Sequence, residues 1–101
     1  MSETKSPLEI RHNVAASRFE ATVNGQLCVA GYQLVDGVMR MNHTEVPPAL
    51  EGRGTAARLV QAAFEYAAAS GLKVEPWCSY VRVYMKRHPE SRALLPDGFT
   101  F

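Results

Sequence analysis

The first half of the chain is divided by two turn dipeptides, Asn24-Gly25 and Asp36-Gly37. Both tolerate the positive φ angles that two-residue hairpin turns require, so each predicts a tight reversal of the chain. The segments beside them alternate apolar and polar residues, which is typical of strands with one solvated face. The sequence therefore predicts an antiparallel meander of about four strands, at residues 8–13, 18–23, 26–35 and 38–46.

The hydrophobic period changes after Pro47-Pro48, which ends the fourth strand because proline has no N–H for a sheet ladder. Residues 54–70 are rich in alanine and repeat apolar side chains at three- and four-residue spacing, which predicts a helix. Gly71 follows it as a C-terminal stop. A short strand is predicted at 72–77, and its connection through a helix predicts that it lies parallel to the fourth strand.

Ser79 is predicted to cap a second, short helix at 80–87, with a further helical turn at 92–95. The predicted fold class is therefore α+β: an antiparallel meander of about four strands, a helix, a fifth strand parallel to the fourth, and a short C-terminal helix. With 101 residues, the chain has room for one domain, which we expect at 8–101 after a disordered polar tail at 1–7.

The composition excludes several classes of partner. The formal net charge is only +1, and no block of Lys or Arg is present, so nothing predicts nucleic-acid binding. No apolar run has the length of a membrane span and no leader pattern is found, so we expect a cytoplasmic protein. Its two cysteines, Cys28 and Cys78, are expected to be thiols. His12 and His88 lack partners at metal-ligand spacing, so no metal is predicted.

Gly52-Arg53-Gly54 lies between the predicted fourth strand and the predicted long helix. Unpaired amides and a partial positive charge at a helix N-terminus attract anions, and glycine lets a phosphate approach the backbone. A tight turn without a ligand is the ordinary alternative. A Walker-type P-loop is excluded because the loop has no lysine, whereas a Gly-x-Gly-x-x-Ala dinucleotide fingerprint with Glu75 as ribose ligand fits the residues but not the antiparallel strands before them.

Residues 51–56, Glu-Gly-Arg-Gly-Thr-Ala, resemble the Gln/Arg-x-x-Gly-x-Gly/Ala motif with which the GNAT superfamily binds the pyrophosphate of coenzyme A. Glu51 departs from the motif: it removes a donor and adds a negative charge, so we expect weaker binding than in the family at large. The resemblance implies that acetyl-CoA is the cosubstrate. The cofactor-binding residues that it implies are Val46, Gly52, Arg53, Gly54, Thr55 and Ala56.

Five short segments occur in an order that resembles the very small GNAT-like subfamily with the yjdJ-type domain. These segments are His43-Thr44-Glu45-Val46-Pro47, Gly52-Arg53-Gly54, Pro76-Trp77-Cys78, Tyr84 and His88-Pro89-Glu90. This resemblance implies that acetyl-CoA lies in a V-shaped opening between the fourth and fifth strands, with the Val46 backbone against the pantetheine arm. It also implies a cysteine close to the acetyl group.

Four residues are candidates for catalysis. Cys78 precedes a helix whose dipole favours the thiolate, and it could carry the acetyl group. His43 lies on the strand that is expected to line the same opening, and it could remove a proton from the amine or from Cys78. Glu45, two residues on, is expected to project from the same face and is a second candidate base. Tyr84 resembles the tyrosine with which many GNAT enzymes protonate the departing thiolate. Each also has an ordinary structural role: a buried thiol, a solvated strand residue or a core tyrosine.

The resemblance thus implies an N-acetyltransferase-like protein that transfers an acetyl group from acetyl-CoA to an unidentified amine, with Cys78 as a possible carrier. The alternative is a non-catalytic module that binds an acyl-CoA or another protein. The chain has almost no segment before its first strand to shape an acceptor pocket, which favours that alternative. We expect a monomer or a weak dimer that binds neither nucleic acid nor a membrane.

Overall fold

The computed structural model describes residues 8–100. The strands are β1 (Arg11–Asn13), β2 (Arg18–Val23), β3 (Gln26–Val35), β4 (Val38–Glu45) and β5 (Lys73–Pro76). The α-helices are α1 (Thr55–Ala69) and α2 (Ser79–Arg87), and two 3-10 helices cover Pro48–Leu50 and Pro89–Leu94. The predicted tail at 1–7 lies outside the described residues, and the single domain at 8–101 stays a prediction.

The five strands form one sheet in the order β1-β2-β3-β4-β5. Neighbouring strands are antiparallel, except that β4 and β5 are parallel and are connected through α1. The α+β fold class, with a meander, a helix and a parallel fifth strand, is confirmed. Among the described residues, no helix is both long and apolar enough to cross a membrane.

Both predicted hairpin turns are present, and their backbones explain their sequences. Asn24 and Gly25 have φ angles of 52° and 76°, and Asp36 and Gly37 have 50° and 79°. Positive φ at both central residues matches the right-handed twist of the flanking strands. Because each turn consists of only two residues, it fixes the register in which β2, β3 and β4 pair.

The core lies between one face of the sheet and α1. Buried α1 residues recur at helical spacing: Leu59, Val60, Ala63, Phe64 and Ala67. Strand residues face them from the sheet, among them Ala21, Cys28, Ala30, Met39, Met41 and Val74. Complete burial of one leucine-sized side chain contributes about 2 kcal/mol, so this layer holds α1 against the sheet and fixes where the helix begins.

Several element boundaries differ from the sequence prediction. β1 begins at Arg11 rather than at residue 8, and the predicted turn at 92–95 overlaps the 3-10 helix Pro89–Leu94. Ser79 does not cap α2: it is the first helical residue, and Cys78 occupies the cap position without a side-chain hydrogen bond. The reason is that the Cys78 N–H donates to the Met41 carbonyl of β4 at 2.9 Å, which keeps Cys78 extended.

Candidate functional site

β4 and β5 pair over only part of their length. Their register ends at Met41 opposite Pro76. There the amides of Trp77 and Cys78 both donate to the Met41 carbonyl, at 3.0 and 2.9 Å, and the chain then turns into α2. β4 continues to Glu45 without a β5 partner in the described register. The two strands therefore diverge and leave a V-shaped opening whose one side is a strand edge with unpaired backbone groups.

A cavity of about 560 Å³ occupies this opening. Five of the six residues predicted to bind the cofactor line this cavity: Val46, Gly52, Gly54, Thr55 and Ala56. The sixth, Arg53, is an exposed residue between the two glycines and does not line the cavity. The other lining residues come from β4, the 3-10 helix Pro48–Leu50, the residue after it, and α2: Thr44, Glu45, Leu50, Glu51 and Tyr80. The loop and the strand edge identified in the sequence thus meet at one cavity.

The loop before α1 leaves room for a ligand at its backbone. Gly52 and Gly54 have φ angles of 84° and 79°, a conformation that favours glycine, and a Cβ at either position would meet no atom within 4 Å. The first intrahelical bond runs from Arg58 N–H to Gly54 C=O, and no side chain caps the helix. The first amides of α1 therefore remain available to an anion.

The charges around the opening are mixed. Glu45 and Glu51 contribute carboxylates to its wall, and Arg53 and Arg58 are exposed on the loop and on the first turn of α1. No acidic residue lies in the first turn of α1 itself. An anion in the opening would meet backbone donors from the helix and repulsion from Glu51, the position at which the sequence departs from the GNAT motif.

A β-bulge decides which β4 side chains face the opening. Gly31 pairs with His43 and Tyr32 pairs with Met41, so Asn42 is an extra residue on β4. Met41 is buried on the core side, and after the bulge Thr44 takes that side. His43 and Glu45 project from the opposite face, where their side chains lie 3.2 Å apart. Their predicted common face is confirmed.

His43 and Glu45 differ in what they line. Both belong to a groove on the outer face of the sheet, and Glu45 also lines the V-shaped opening. Glu45 therefore stands where the two cavities meet, whereas His43 belongs to the outer groove alone. Both side chains are more than half exposed, so solvent reaches them freely.

Cys78 lies where β4 and β5 diverge, and it does not itself line the cavity. It is half-buried, and its thiol donates to the Thr44 hydroxyl at 3.6 Å. Thr44 lines the opening, so the contact connects Cys78 to that cavity from the core side of β4. Sequence reasoning did not single out Thr44, because a threonine on a strand carries no signal of reactivity.

The two tyrosines of α2 have different surroundings. Tyr84 packs edge-to-face against Phe64 of α1, with ring centroids 5.4 Å apart, and stacks on His88 at 4.2 Å. Burial, followed by nearby Glu90, raises the pKa of Tyr84. Tyr80, one turn earlier, lines the opening, and burial raises its pKa as well. Sequence reasoning missed Tyr80, although its spacing of four from Tyr84 puts both on one side of the helix.

The dinucleotide alternative is excluded by the structure. The strands before the loop are antiparallel rather than β-α-β units. Glu75, the candidate ribose ligand, accepts a hydrogen bond from Trp77 Nε1 at 2.8 Å and pairs with Arg40 at 3.2 Å. Within residues 8–100, no three His, Cys, Asp or Glu side chains form a group that could hold a metal ion.

The parallel strands β4 and β5 diverge in front of α1, whose N-cap residue is Gly54. The resemblance to the GNAT superfamily implies this arrangement. The chain belongs to the GCN5-related N-acetyltransferase family, whose profile matches residues 18–94.

The relatives of this chain include vertebrate proteins named Protein NATD1. Those of Gallus gallus and Mus musculus are each 32% identical over 90 residues, which cover 86% of this chain and 82% of the relative. The protein of Homo sapiens is also 32% identical, and the matched residues cover 80% of its length. A GCN5-like protein of Staphylococcus aureus, solved by NMR, superposes with a TM-score of 0.71 at 25% identity, over 91% of both chains.

Proposed function

We propose that this protein binds acetyl-CoA in the V-shaped opening and transfers the acetyl group to an amine. One observation carries the proposal: the free edge of β4 and the uncapped N-terminus of α1 border the same cavity of about 560 Å³. Backbone N–H groups at a helix N-terminus bind phosphate, and the free edge of a strand can form hydrogen bonds with the amides of the pantetheine arm. Family membership adds the reaction class.

The binding residues follow from the wall of the opening. The amides from Gly52 to Ala56, including that of Arg53, would hold the pyrophosphate, since neither glycine offers a Cβ that obstructs it. The Val46 backbone would contact the pantetheine arm as an added strand does. Glu51 would weaken the complex, because it lines the same opening and its negative charge would repel the phosphates.

Two routes of transfer use different residues. In direct transfer, the amine nitrogen attacks the acetyl carbonyl carbon, an N–C bond forms, and the thioester C–S bond breaks as CoA leaves as a thiolate. His43 or Glu45 would accept the proton from the nitrogen, and Tyr84 would protonate the thiolate. Tyr80 is a second candidate for the latter step because it lines the opening.

In the two-step route, the Cys78 sulfur first takes the acetyl group, forming a thioester as CoA leaves, and the amine then attacks that thioester. The half-buried position of Cys78 beside Thr44 supports this route. The separation of His43 from Thr44 across the two faces of β4 favours His43 as the base for the amine rather than for Cys78.

A non-catalytic module that binds an acyl-CoA or another protein is the second candidate. It is favoured by the exposed loop, in which Glu51, Gly52 and Gly54 are all solvent-accessible. We propose further that the protein acts in the cytoplasm, as a monomer or weak dimer, without nucleic acid, and that it is of the yjdJ type. These four points rest on the sequence alone.

The test is to follow thiol release from acetyl-CoA by the pure protein, with and without a primary amine. We expect release that depends on the amine and a mass gain of one acetyl group on that amine, because a thioester bound in the opening would lie next to Glu45. Heat-denatured protein is the control. Tight CoA binding without release would support the binding module instead, and absence of both binding and release would contradict the proposal.

A further inference from the structure

The outer face of the sheet carries a groove that lies between Arg18 of β2 and the His43–Glu45 pair of β4. Arg18 of β2, Gly31 of β3 and His43 of β4 are register partners and form one row across the three strands. Glu20, Val29 and Glu45 form the next row. Because Gly31 has no side chain, the middle of the first row is empty, and a cavity of about 420 Å³ lies there.

Arg18 lines the groove on the β2 side, and His43 and Glu45 line it on the β4 side. On β2, Arg18 Nε pairs with Glu20 Oε2, and on β4, His43 Nε2 lies 3.2 Å from Glu45 Oε1. Adjacent strands stand about 4.8 Å apart, so the backbones of β2 and β4 are separated by roughly 10 Å. Side chains that reach in from both walls leave room for a chain of a few carbon atoms.

The two walls differ in charge. Glu20 is buried and is held by Arg18 and Asn13, whose hydrogen bonds lower the pKa of its carboxyl group. Arg11 lies opposite Glu20 on β1, so two guanidinium groups face one carboxylate and this side has one positive charge in excess. The side chain of Arg18 is 38% exposed. The β4 wall carries the Glu45 carboxylate beside the His43 imidazole.

The groove and the V-shaped opening meet at a single side chain. Glu45 lines both, whereas the glycine loop belongs only to the opening and Arg18 only to the groove. The far end of the groove is closed by the turn before β2, where Ser17 C=O accepts the Tyr32 N–H at 3.0 Å. A molecule in the groove would therefore have one end at Glu45, beside the opening, and its other end near Arg18.

We propose that this groove is the acceptor site and that it selects a small amino carboxylate, that is, a primary amine joined by a few carbons to an acidic group. The ammonium end meets Glu45 and loses its proton to the His43–Glu45 pair, and the nitrogen then attacks the acetyl carbon. The carboxylate end meets the Arg18 guanidinium. This proposal rests on the acetyl transfer proposed above.

The chemical class is tested on the parent protein with three amines of matched length: γ-aminobutyrate, butylamine and putrescine. We expect kcat/KM for γ-aminobutyrate to exceed that for butylamine at least about tenfold, because only the former gains a charge-assisted bond to Arg18, and putrescine to be poorest. Equal values for the three amines would overturn the selection of an acidic group.

The location is tested with Gly31→Val. The nearest atoms to a Cβ at residue 31 would be His43 Cβ at 3.7 Å and two carbonyl oxygens at 3.8 and 3.9 Å. These are ordinary contacts, so the larger side chain of valine extends into the groove. We expect KM for γ-aminobutyrate to rise at least about tenfold while CoA binding, measured by calorimetry, stays within twofold. Gln33→Val, on the same strand and outside the groove, is the matched control.

An unchanged KM in Gly31→Val would overturn the assignment of the groove. Failure of the proposed function looks different: the parent protein would then bind no acetyl-CoA or release no thiol with any of the three amines, and the inference would fall with it. Retained CoA binding in Gly31→Val also shows that the variant is folded.

Discussion

Gly54→Glu is expected to weaken acetyl-CoA binding at least about 100-fold while the protein remains folded. Position 54 faces open space at the head of α1, so a glutamate there occupies the volume of a bound phosphate and opposes its charge. Two such charges at about 4 Å repel by several kcal/mol at the effective dielectric of a protein surface, and a factor of 100 requires only about 2.7 kcal/mol. Calorimetric titration measures the change.

Gly37→Glu is the matched control. Gly37 has the same φ of 79° and the same open surroundings, but it lies in the turn between β3 and β4. Any backbone strain from a side chain at positive φ is therefore common to both variants. Equal loss of affinity in both variants, or parent-like affinity in Gly54→Glu, would show that the glycine loop does not bind the cosubstrate.

Cys78 is expected to react with iodoacetamide at least about 100-fold faster than Cys28 in the native protein. Cys28 is fully buried in β3, and burial raises the pKa of its thiol, so its alkylation has to await unfolding. Cys78 is half-buried beside the opening. Intact-mass spectrometry followed by peptide mapping gives the two rates separately.

Bound CoA should protect Cys78, since Thr44, its hydrogen-bond partner, lines the cavity. Cys78→Ser is the control, because its only remaining thiol is Cys28 and it should react slowly throughout. Equal rates for the two cysteines would contradict the placement of Cys78. Rapid alkylation that CoA does not slow would show that Cys78 is not beside the bound cosubstrate. Direct transfer to the amine would then be the remaining route.

The sequence predicted the fold well because its main signals are local. Asn24-Gly25 and Asp36-Gly37 specify their turns by the φ angles that they tolerate, and the apolar spacing in residues 54–70 specifies α1. The position of the glycine loop could be predicted for the same reason. The fourth strand ends at Pro47-Pro48 and the helix begins near residue 54, so the loop has to lie between them.

The bulge on β4 could not be predicted, because it depends on how two strands pair. By alternation alone, His43 would follow Met39 and Met41 to the core side; the extra residue Asn42 instead directs it to the outer face. Gly31, the register partner of His43 on β3, was the one available signal of this bulge in the sequence. Thr44 and Tyr80 were missed for a related reason: they become parts of the site only through the divergence of β4 and β5.

Amide chemical-shift mapping during a titration with CoA tests the central claim most directly. We predict that the largest shifts occur at residues 44–46 and 52–56, where the strand edge and the glycine loop border the opening, and that β1 and the β3–β4 turn change little. Shifts concentrated elsewhere, or no shifts at millimolar CoA, would contradict the assignment of the opening as the site of acetyl-CoA.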